Sequence, residues 1–284
     1  MISSKTSYSV QAQISNQNEL AKQITALQES VATGKRLSAP SDDPAAALRV
    51  SQIRTIQADQ VVWTNNANMG TSIASTVDTS LGNLQDLMNR ANELVLSGRN
   101  DTTSDTDRAA ITSELQSIVD SLNSAQAATD PTGAPLYPTG SPLQIPVSST
   151  LNLAATASSG TVFGVTTASG TQTMQQILTN AITAINGNPG TRAADIQTSL
   201  DAISAANNHL DEVRADQGVR MKRLSDATDA LTASGESLSE ERNGLEGTDL
   251  TYAVSEFQAK QTALQAAQTM FAQTNKSNLF SLLG

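Results

Sequence analysis

Four groups of residues in this chain have the types that chemistry needs. Gly34-Lys35-Arg36 offers the glycine and lysine of a phosphate-cradling loop. Asp42-Asp43 and Asp105-Thr106-Asp107 set carboxylates close together, and His209 is the one histidine in 284 residues. Each fails on its surroundings. A phosphate loop carries an earlier glycine and follows its lysine with Ser or Thr for magnesium, whereas Glu29 and Arg36 stand in those places here. Calcium needs six to eight oxygens, and no spaced series of acids follows Asp105. Adjacent carboxylates such as Asp42 and Asp43 do not by themselves flank a glycosidic bond. His209 sits between Asn208 and Leu210, off the apolar stripe of a long helix, with no metalloprotease motif around it. Without cysteine there is no thiolate nucleophile, disulfide framework or zinc finger. The eight aromatics (Phe163, Phe257, Phe271, Phe280, Tyr8, Tyr137, Tyr252 and Trp63) are too few to line a large ligand pocket. The expectation is a protein that is not an enzyme, with no catalytic, cofactor-binding or metal-ligating residues. The same four groups then read as helix breaks, caps and packing residues.

Charge narrows the partners. Lys plus Arg total 17 against 27 for Asp plus Glu, a formal net charge of -10 with pI near 4.5, and no basic cluster is present to neutralise phosphates. Nucleic acid is therefore excluded as a partner. No apolar run is long enough to span a membrane. The start, MISSKTSYSVQAQ, lacks the charged and apolar regions of a cleavable signal peptide, which on residues alone points to the cytoplasm.

The elements that must position these residues are helices. Val10, Gln13, Gln17, Leu20, Ile24, Leu27 and Val31 alternate steps of three and four, one seam of a helix. Leu250, Val254, Phe257, Gln261, Leu264, Gln268 and Phe271 repeat the pattern, followed by Leu279, Phe280, Leu282 and Leu283. Both seams mix apolar residues with glutamine, two of seven positions in each, too thin for a lone helix in water, so each terminus needs partners. The expected assembly interface is Leu20, Ile24, Leu27, Val31, Leu250, Val254, Phe257, Leu264, Phe271, Leu279, Leu282 and Leu283.

Inner helices follow. Ile73, Val77, Ser80, Leu84, Leu87, Ala91 and Leu94 form one seam, and Ile111, Leu115, Ile118, Leu122 and Ala125 another. The longest seam runs Ile196, Leu200, Ile203, Asn207, Leu210, Arg214, Gln217, Met221, Leu224, Thr228, Leu231, Gly235 and Leu238. At 1.5 Å per residue it is roughly 65 Å long. Arg214 and Gln217 on that seam read either as register-setting polar residues or as an exposed stretch. Ser41-Asp42-Asp43-Pro44 and Ser104-x-x-Asp107 supply helix starts, and Gly247-Thr248-Asp249 breaks the long helix and caps the last.

From Pro131 to Thr191 there is no Asp, Glu, Lys, Arg or His, and five of the eight prolines fall between Pro131 and Pro146. Leu151–Ala154 and Thr161–Thr167 read as short strands, and Met174, Ile177, Leu178, Ala181, Ile182 and Ile185 as a short helix ended at Gly187. The fold class is mainly α, a long coiled-coil-like helical bundle from both chain ends with a small inserted β-rich domain. The expected division is 1–42 with 248–284 as a terminal coiled-coil domain, 43–130 with 191–247 as a helical rod, and 131–190 as an outer insert.

The stretch Leu27-Gln-Glu-Ser-Val-Ala-Thr-Gly-Lys-Arg-Leu-Ser-Ala-Pro-Ser-Asp-Asp-Pro-Ala-Ala-Ala resembles the shared N-terminal signature of bacterial flagellins and flagellar hook-associated proteins. Leu250 to Gly284, with Phe257-Gln-Ala-Lys-Gln-Thr-Ala-Leu-Gln-Ala-Ala and Asn278-Leu-Phe-Ser-Leu-Leu, is similar to the C-terminal half of that signature. Within the family, Ala39-Pro-Ser-Asp-Asp-Pro44, the span from Asn92-Glu-Leu to Asp107-Arg-Ala-Ala-Ile, and Asp130 to Gly140 look like the branch that joins hook to filament. Tyr137-Pro138 departs from that branch's usual Phe, and the Leu-Leu-Gly ending is common among filament flagellins. The resemblance implies a structural subunit of the flagellum that self-associates through its terminal helices. It implies flagellar hook and filament proteins as partners, an export chaperone at the C-terminal helix, and export without signal cleavage to the extracellular flagellum. Filament flagellin is the competing reading. A cell-surface glycan-binding protein or adhesin, using the uncharged stretch from Pro131 to Thr191, is the rival of another class.

Overall fold

A computed structural model describes the backbone of residues 3–37, 39–100 and 103–283, and side chains within 8–274 except Ser9, Ser38, Asp101 and Thr102. Its elements are α1 (Ser3–Thr33), α2 (Pro44–Gly98), α3 (Asp105–Gln126), β1 (Gln144–Pro146), β2 (Asn152–Ala154), α4 (Ser159–Phe163), β3 (Gly164–Thr167), β4 (Gly170–Thr173), α5 (Met174–Ile185), α6 (Arg192–Glu246) and α7 (Leu250–Leu283). The chain divides into two compact units, residues 1–58 with 234–284, and residues 59–233. The strands form two antiparallel two-stranded sheets, β1 with β2 and β3 with β4. The expected mainly α class with a small β-rich insert is what the chain adopts. Among the described residues no helix is long and apolar enough to cross a membrane.

Local chemistry sets the helix boundaries. Pro44, with no N–H to lose, opens α2, and Asp43 Oδ1 accepts the Ala46 N–H at 3.0 Å. Ser104 caps α3 by accepting the Asp107 N–H at 3.1 Å. Thr173 and Gln176 make a reciprocal capping box at the start of α5. The strand expected over 161–167 begins later than its composition suggests. Ser158 accepts the Thr161 N–H and winds Ser159–Phe163 into the short helix α4, leaving Gly164–Thr167 as β3. β2 falls inside the expected 151–154 segment, but its partner β1 was hidden by proline. Pro146 tolerates a strand only where no ladder N–H is required.

The second unit has one core that merges helix and insert. Ile73, Val77, Leu81, Leu84, Met88 and Ala91 of α2 pack with Leu115 and Leu122 of α3 and with Ile145, Val165, Ile177 and Leu178 of the insert. Gly70 sits at a close approach, since a Cβ there would meet Leu224 at 2.9 Å and Ile145 at 3.2 Å. The α6 stripe is rotated from the one its large residues suggest. Ile196, Ser199, Ile203, Ala206, Leu210, Val213 and Gln217 are buried, while Leu200 and Met221 pack at the flank. Small Ser199 and Ala206 let the helix approach its neighbours, so the seam alternates large and small rather than large and polar.

The two polar seam residues separate cleanly. Arg214 is exposed and pairs with Asp78 at 3.3 Å and with Gln85 at 3.2 Å. Gln217 is buried, and its Nε2 donates to Ala74 O at 3.1 Å and Ala155 O at 2.8 Å, joining α6 to α2 and to the insert. His209 Nε2 lies 2.8 Å from Thr161 O, a second tie between α6 and the insert.

Replacing Gln217 with Leu should cost about 1–3 kcal/mol, because both donors disappear and the buried Ala155 carbonyl loses one of them. Equilibrium urea unfolding followed by circular dichroism measures this. Burial pushes the Tyr137 hydroxyl up to about 12 from 10.0, against a smaller opposite pull from Ser80. The native state therefore favours the neutral phenol. The stability this provides is complete below pH 10 and is lost as pH rises towards 12. Absorbance titration of phenolate should show this late step, and Tyr137→Phe should remove it.

Candidate assembly interface

α1 and α7 lie antiparallel in the first unit, with Gln17 Nε2 donating to Ala267 O at 3.4 Å. On α1 the seam is as its spacing implies: Val10, Gln13, Gln17, Leu20, Ile24, Leu27 and Val31 are all half-buried. On α7 the inward stripe is Ala253, Phe257, Lys260, Leu264, Ala267 and Phe271, a run of steps of four and three. Leu250 and Val254 are 50% and 39% exposed, and Gln261 and Gln268 are exposed as well. They occupy the outer face of α7 rather than the seam with α1. Anchoring the heptad on the large residues Leu250 and Val254 hid the alanines one position earlier, which fit where two helices approach closely. Leu279, Leu282 and Leu283 continue the α7 backbone, and their side chains lie outside the described residues.

The antiparallel run places Leu27 level with Phe257 and Leu20 level with Leu264. Lys260, level with Ile24, buries its stem and keeps its ammonium 3.5 Å from Glu256. A half-buried aliphatic side chain contributes about 1 kcal/mol, against roughly 2 for full burial. The pair is thus held weakly and has apolar area left to bury.

Its register is set where both chains turn. Gly34 ends α1 with φ 69, a left-handed conformation that glycine adopts without strain. Gly247 ends α6, where a Cβ would lie against Asn243 O, inside contact distance. The two breaks are bonded to each other: Arg36 N–H donates to Glu246 O at 2.7 Å and Thr248 N–H to Gly34 O at 3.1 Å. Asp249 Oδ1 accepts the Thr251 and Tyr252 N–H groups and starts α7.

Side chains reinforce this joint. Glu246, only 13% exposed, pairs with Arg54 and lies 3.9 Å from Lys35. Arg36 reaches Leu245 O at 3.1 Å and Asp43 at 3.5 Å. Arg49 grips Glu241 through two bonds of 2.6 and 2.9 Å. Gly34-Lys35-Arg36 is therefore a helix break whose backbone and cations hold the end of α6. This clasp was not visible beforehand, because its partners lie more than 190 residues away. Asp42 and Asp43 likewise serve the turn, Asp42 by accepting the Ala39 N–H at 2.8 Å. Asp105 pairs with Arg108, and Asp107 closes the Ser104 cap. Among the described residues no cluster of three or more His, Cys, Asp or Glu is placed to hold a metal ion.

The model of the bacterial flagellin N-terminal helical region matches residues 2–137, and that of the flagellin C-terminal helical region matches residues 200–283. This chain belongs to the bacterial flagellin family. Flagellar hook-associated protein 3 of Escherichia coli is 25% identical over 293 residues, covering 89% of this chain and 91% of the relative. The flagellin of Bacillus subtilis is also 25% identical, over 96% of this chain and 97% of its own. The crystal structure of the flagellar junction protein FlgL from Legionella pneumophila superposes with a TM-score of 0.55 at 13% identity, over 70% of this chain and all of that one. The family is structural, and its members are flagellar components. Gly34-Lys35-Arg36, Asp42-Asp43 and the C-terminal helix all fall within the matched regions, and the part left unmatched includes most of the uncharged stretch.

Gly247→Val should misplace the start of α7 and loosen its pairing with α1, because the added Cβ would overlap Asn243 O, at a cost of about 1–3 kcal/mol. Hydrogen exchange should then rise through residues 10–33 and 250–271 and stay unchanged within 59–233. The Ala46 N–H bond and Arg36 hold Asp43 below its ordinary 3.8, and Arg49 holds Glu241 below 4.5. Their contribution is complete above those values and is lost as pH falls below them. The same exchange pattern should therefore appear in the native chain on acidification below about pH 4.

Proposed function

We propose that this flagellin-family chain is the subunit of the hook–filament junction, assembling through its paired terminal helices between hook and filament proteins. One observation carries the assembly reading. The two chain ends meet in a pair whose seam stays half-buried, with Leu250, Tyr252, Val254 and Met270 of α7 left 39–68% exposed on its other faces. Self-association of several copies would cover both. In this reading Leu20, Ile24, Leu27, Val31, Phe257, Leu264 and Phe271 close each subunit, and Leu250 and Val254 meet neighbours, with Leu279, Leu282 and Leu283 extending the contact. Residues 1–42 with 248–284 form the inner layer, 43–130 with 191–247 the next, and 131–190 the outermost.

The junction role draws support from the Ala39–Pro44 turn, which Asp42 and Asp43 brace at the head of α2, and from the likeness to hook-associated protein 3 over most of both chains. The same exposed face of α7 suits an export chaperone before assembly. The absence of cysteine suits passage unfolded through an export channel to the outside of the cell. The second reading, filament flagellin, is favoured by the B. subtilis relative, which aligns over 96% of this chain.

Removing residues 250–284 should abolish assembly and leave a soluble helical monomer, seen by electron microscopy and sedimentation. A truncated chain that still polymerises overturns the terminal-helix reading. Quantitative proteomics of flagella separates the two roles: tens of copies or fewer fit the junction, and thousands fit the filament.

A further inference from the structure

Most of the cations whose contacts are described are neutralised within the chain. Lys35, Arg36, Arg49, Arg54, Arg90, Arg108, Arg214, Lys222 and Lys260 all sit in ion pairs. Arg220 and Arg223 of α6 are among those outside the ion pairs, with Lys22, Arg99, Arg192 and Arg242, and they alone of these line one cleft together. They stand three residues apart on one face, no described carboxylate comes within ion-pair distance of either, and both line a cleft of about 230 Å³. The other walls are Gln144, Asn152, Leu153 and Ala154 of the β1–β2 hairpin, so no acid faces the guanidiniums from that side. The hairpin is fixed, because Asn66 Nδ2 donates to Pro146 O at 2.9 Å and Gln217, one turn before the arginines, donates to Ala155 O. Next to the lining residues, Leu143, Leu151 and Val219 hold large apolar side chains 63%, 46% and 51% exposed. The patch therefore combines two guanidiniums outside any ion pair with amide hydrogen-bonding groups on a rigid support, in segments that also carry exposed apolar side chains. Such a set suits a protein carboxylate surface rather than a solvated face.

We propose that this cleft is a lateral contact that receives acidic side chains from a second copy of the chain. Charge complementarity selects that occupant: the chain carries ten more acids than bases, so a neighbouring copy presents surplus carboxylate, and the two arginines offer adjacent cations to receive it. The contact rests on the assembly reading above but lies wholly within residues 59–233, apart from the terminal pair. It makes side-to-side association of subunits dependent on salt, whereas closure of the terminal seam is mainly apolar.

The absence of cysteine gives a clean assay. A photo-crosslinker placed on Leu143→Cys in the full chain should yield adducts between copies, mapped by mass spectrometry to acid-bearing peptides and reduced by added NaCl. Arg220→Glu with Arg223→Glu should cut those adducts and raise the concentration needed for assembly about tenfold, two attractive pairs becoming repulsive. The unfolding midpoint of the monomer should stay the same, since neither arginine has an acidic partner within the chain. Unchanged adducts and assembly in the reversed variant overturn the contact while leaving the terminal-helix reading intact. Adducts that appear only when other flagellar proteins are added overturn it in favour of a different partner. A native chain that gives neither adducts nor assemblies overturns both.

Discussion

The structure depends on a short stretch of backbone pairing between two points more than 200 residues apart. Arg36 N–H to Glu246 O and Thr248 N–H to Gly34 O clip the end of the first helix to the start of the last. Without that clip, α1 and α7 would be two glutamine-rich helices with no reason to find one register. With it, their seams meet from the first turn, and the loop entropy of bringing distant ends together is already met by the folded chain between them. The two glycines are what permit it, one by a left-handed turn and the other by leaving room beside Asn243 O.

Stabilisation is distributed unevenly between the units. The second has a continuous apolar core, with Ile177, Leu178, Leu84, Leu115 and Leu122 fully enclosed. Its polar interior bonds, from Gln217 in particular, fix which way the insert sits on the helices. The first has few enclosed side chains, chiefly Ala46, Val50, Ile53 and Ala253, and depends on charge-assisted bonds around Glu246 and Glu241. Such bonds orient more than they stabilise, since exposed ion pairs contribute little individually. A subunit whose core is secure and whose ends are aligned but under-packed is suited to complete its folding in an assembly.

What the sequence made legible was local. The caps at Asp43, Ser104 and Asp249, the break at Gly34, the α1 seam and the amphipathic α5 each follow from neighbours within a turn or two of helix. What it hid was decided by distant partners or by small residues. The α7 stripe runs through Ala253 and Ala267, which carry little hydrophobic signal, so Leu250 and Val254 drew attention to a face that points away from α1. The α6 stripe shifted for the same reason, through Ser199 and Ala206. Strand β1 was masked by Pro146, and α4 arose because one serine cap outweighed a β-branched run. The roles of Gln217 and His209 required knowing that the insert folds back to place Ala155 and Thr161 beside α6.

The charge composition of the insert has a consequence for survival in the presence of proteases. Between Arg108 and Arg192 there is neither lysine nor arginine, so an enzyme that cleaves after basic residues finds no target in α3 beyond Arg108, in the two hairpins or in α5. The two bounding arginines are themselves tied down, Arg108 to Asp105 and the Thr103 carbonyl, Arg192 to Gly187 O at 2.9 Å. The most elaborated part of the molecule is thereby also the part with the fewest bonds that trypsin-like digestion can open.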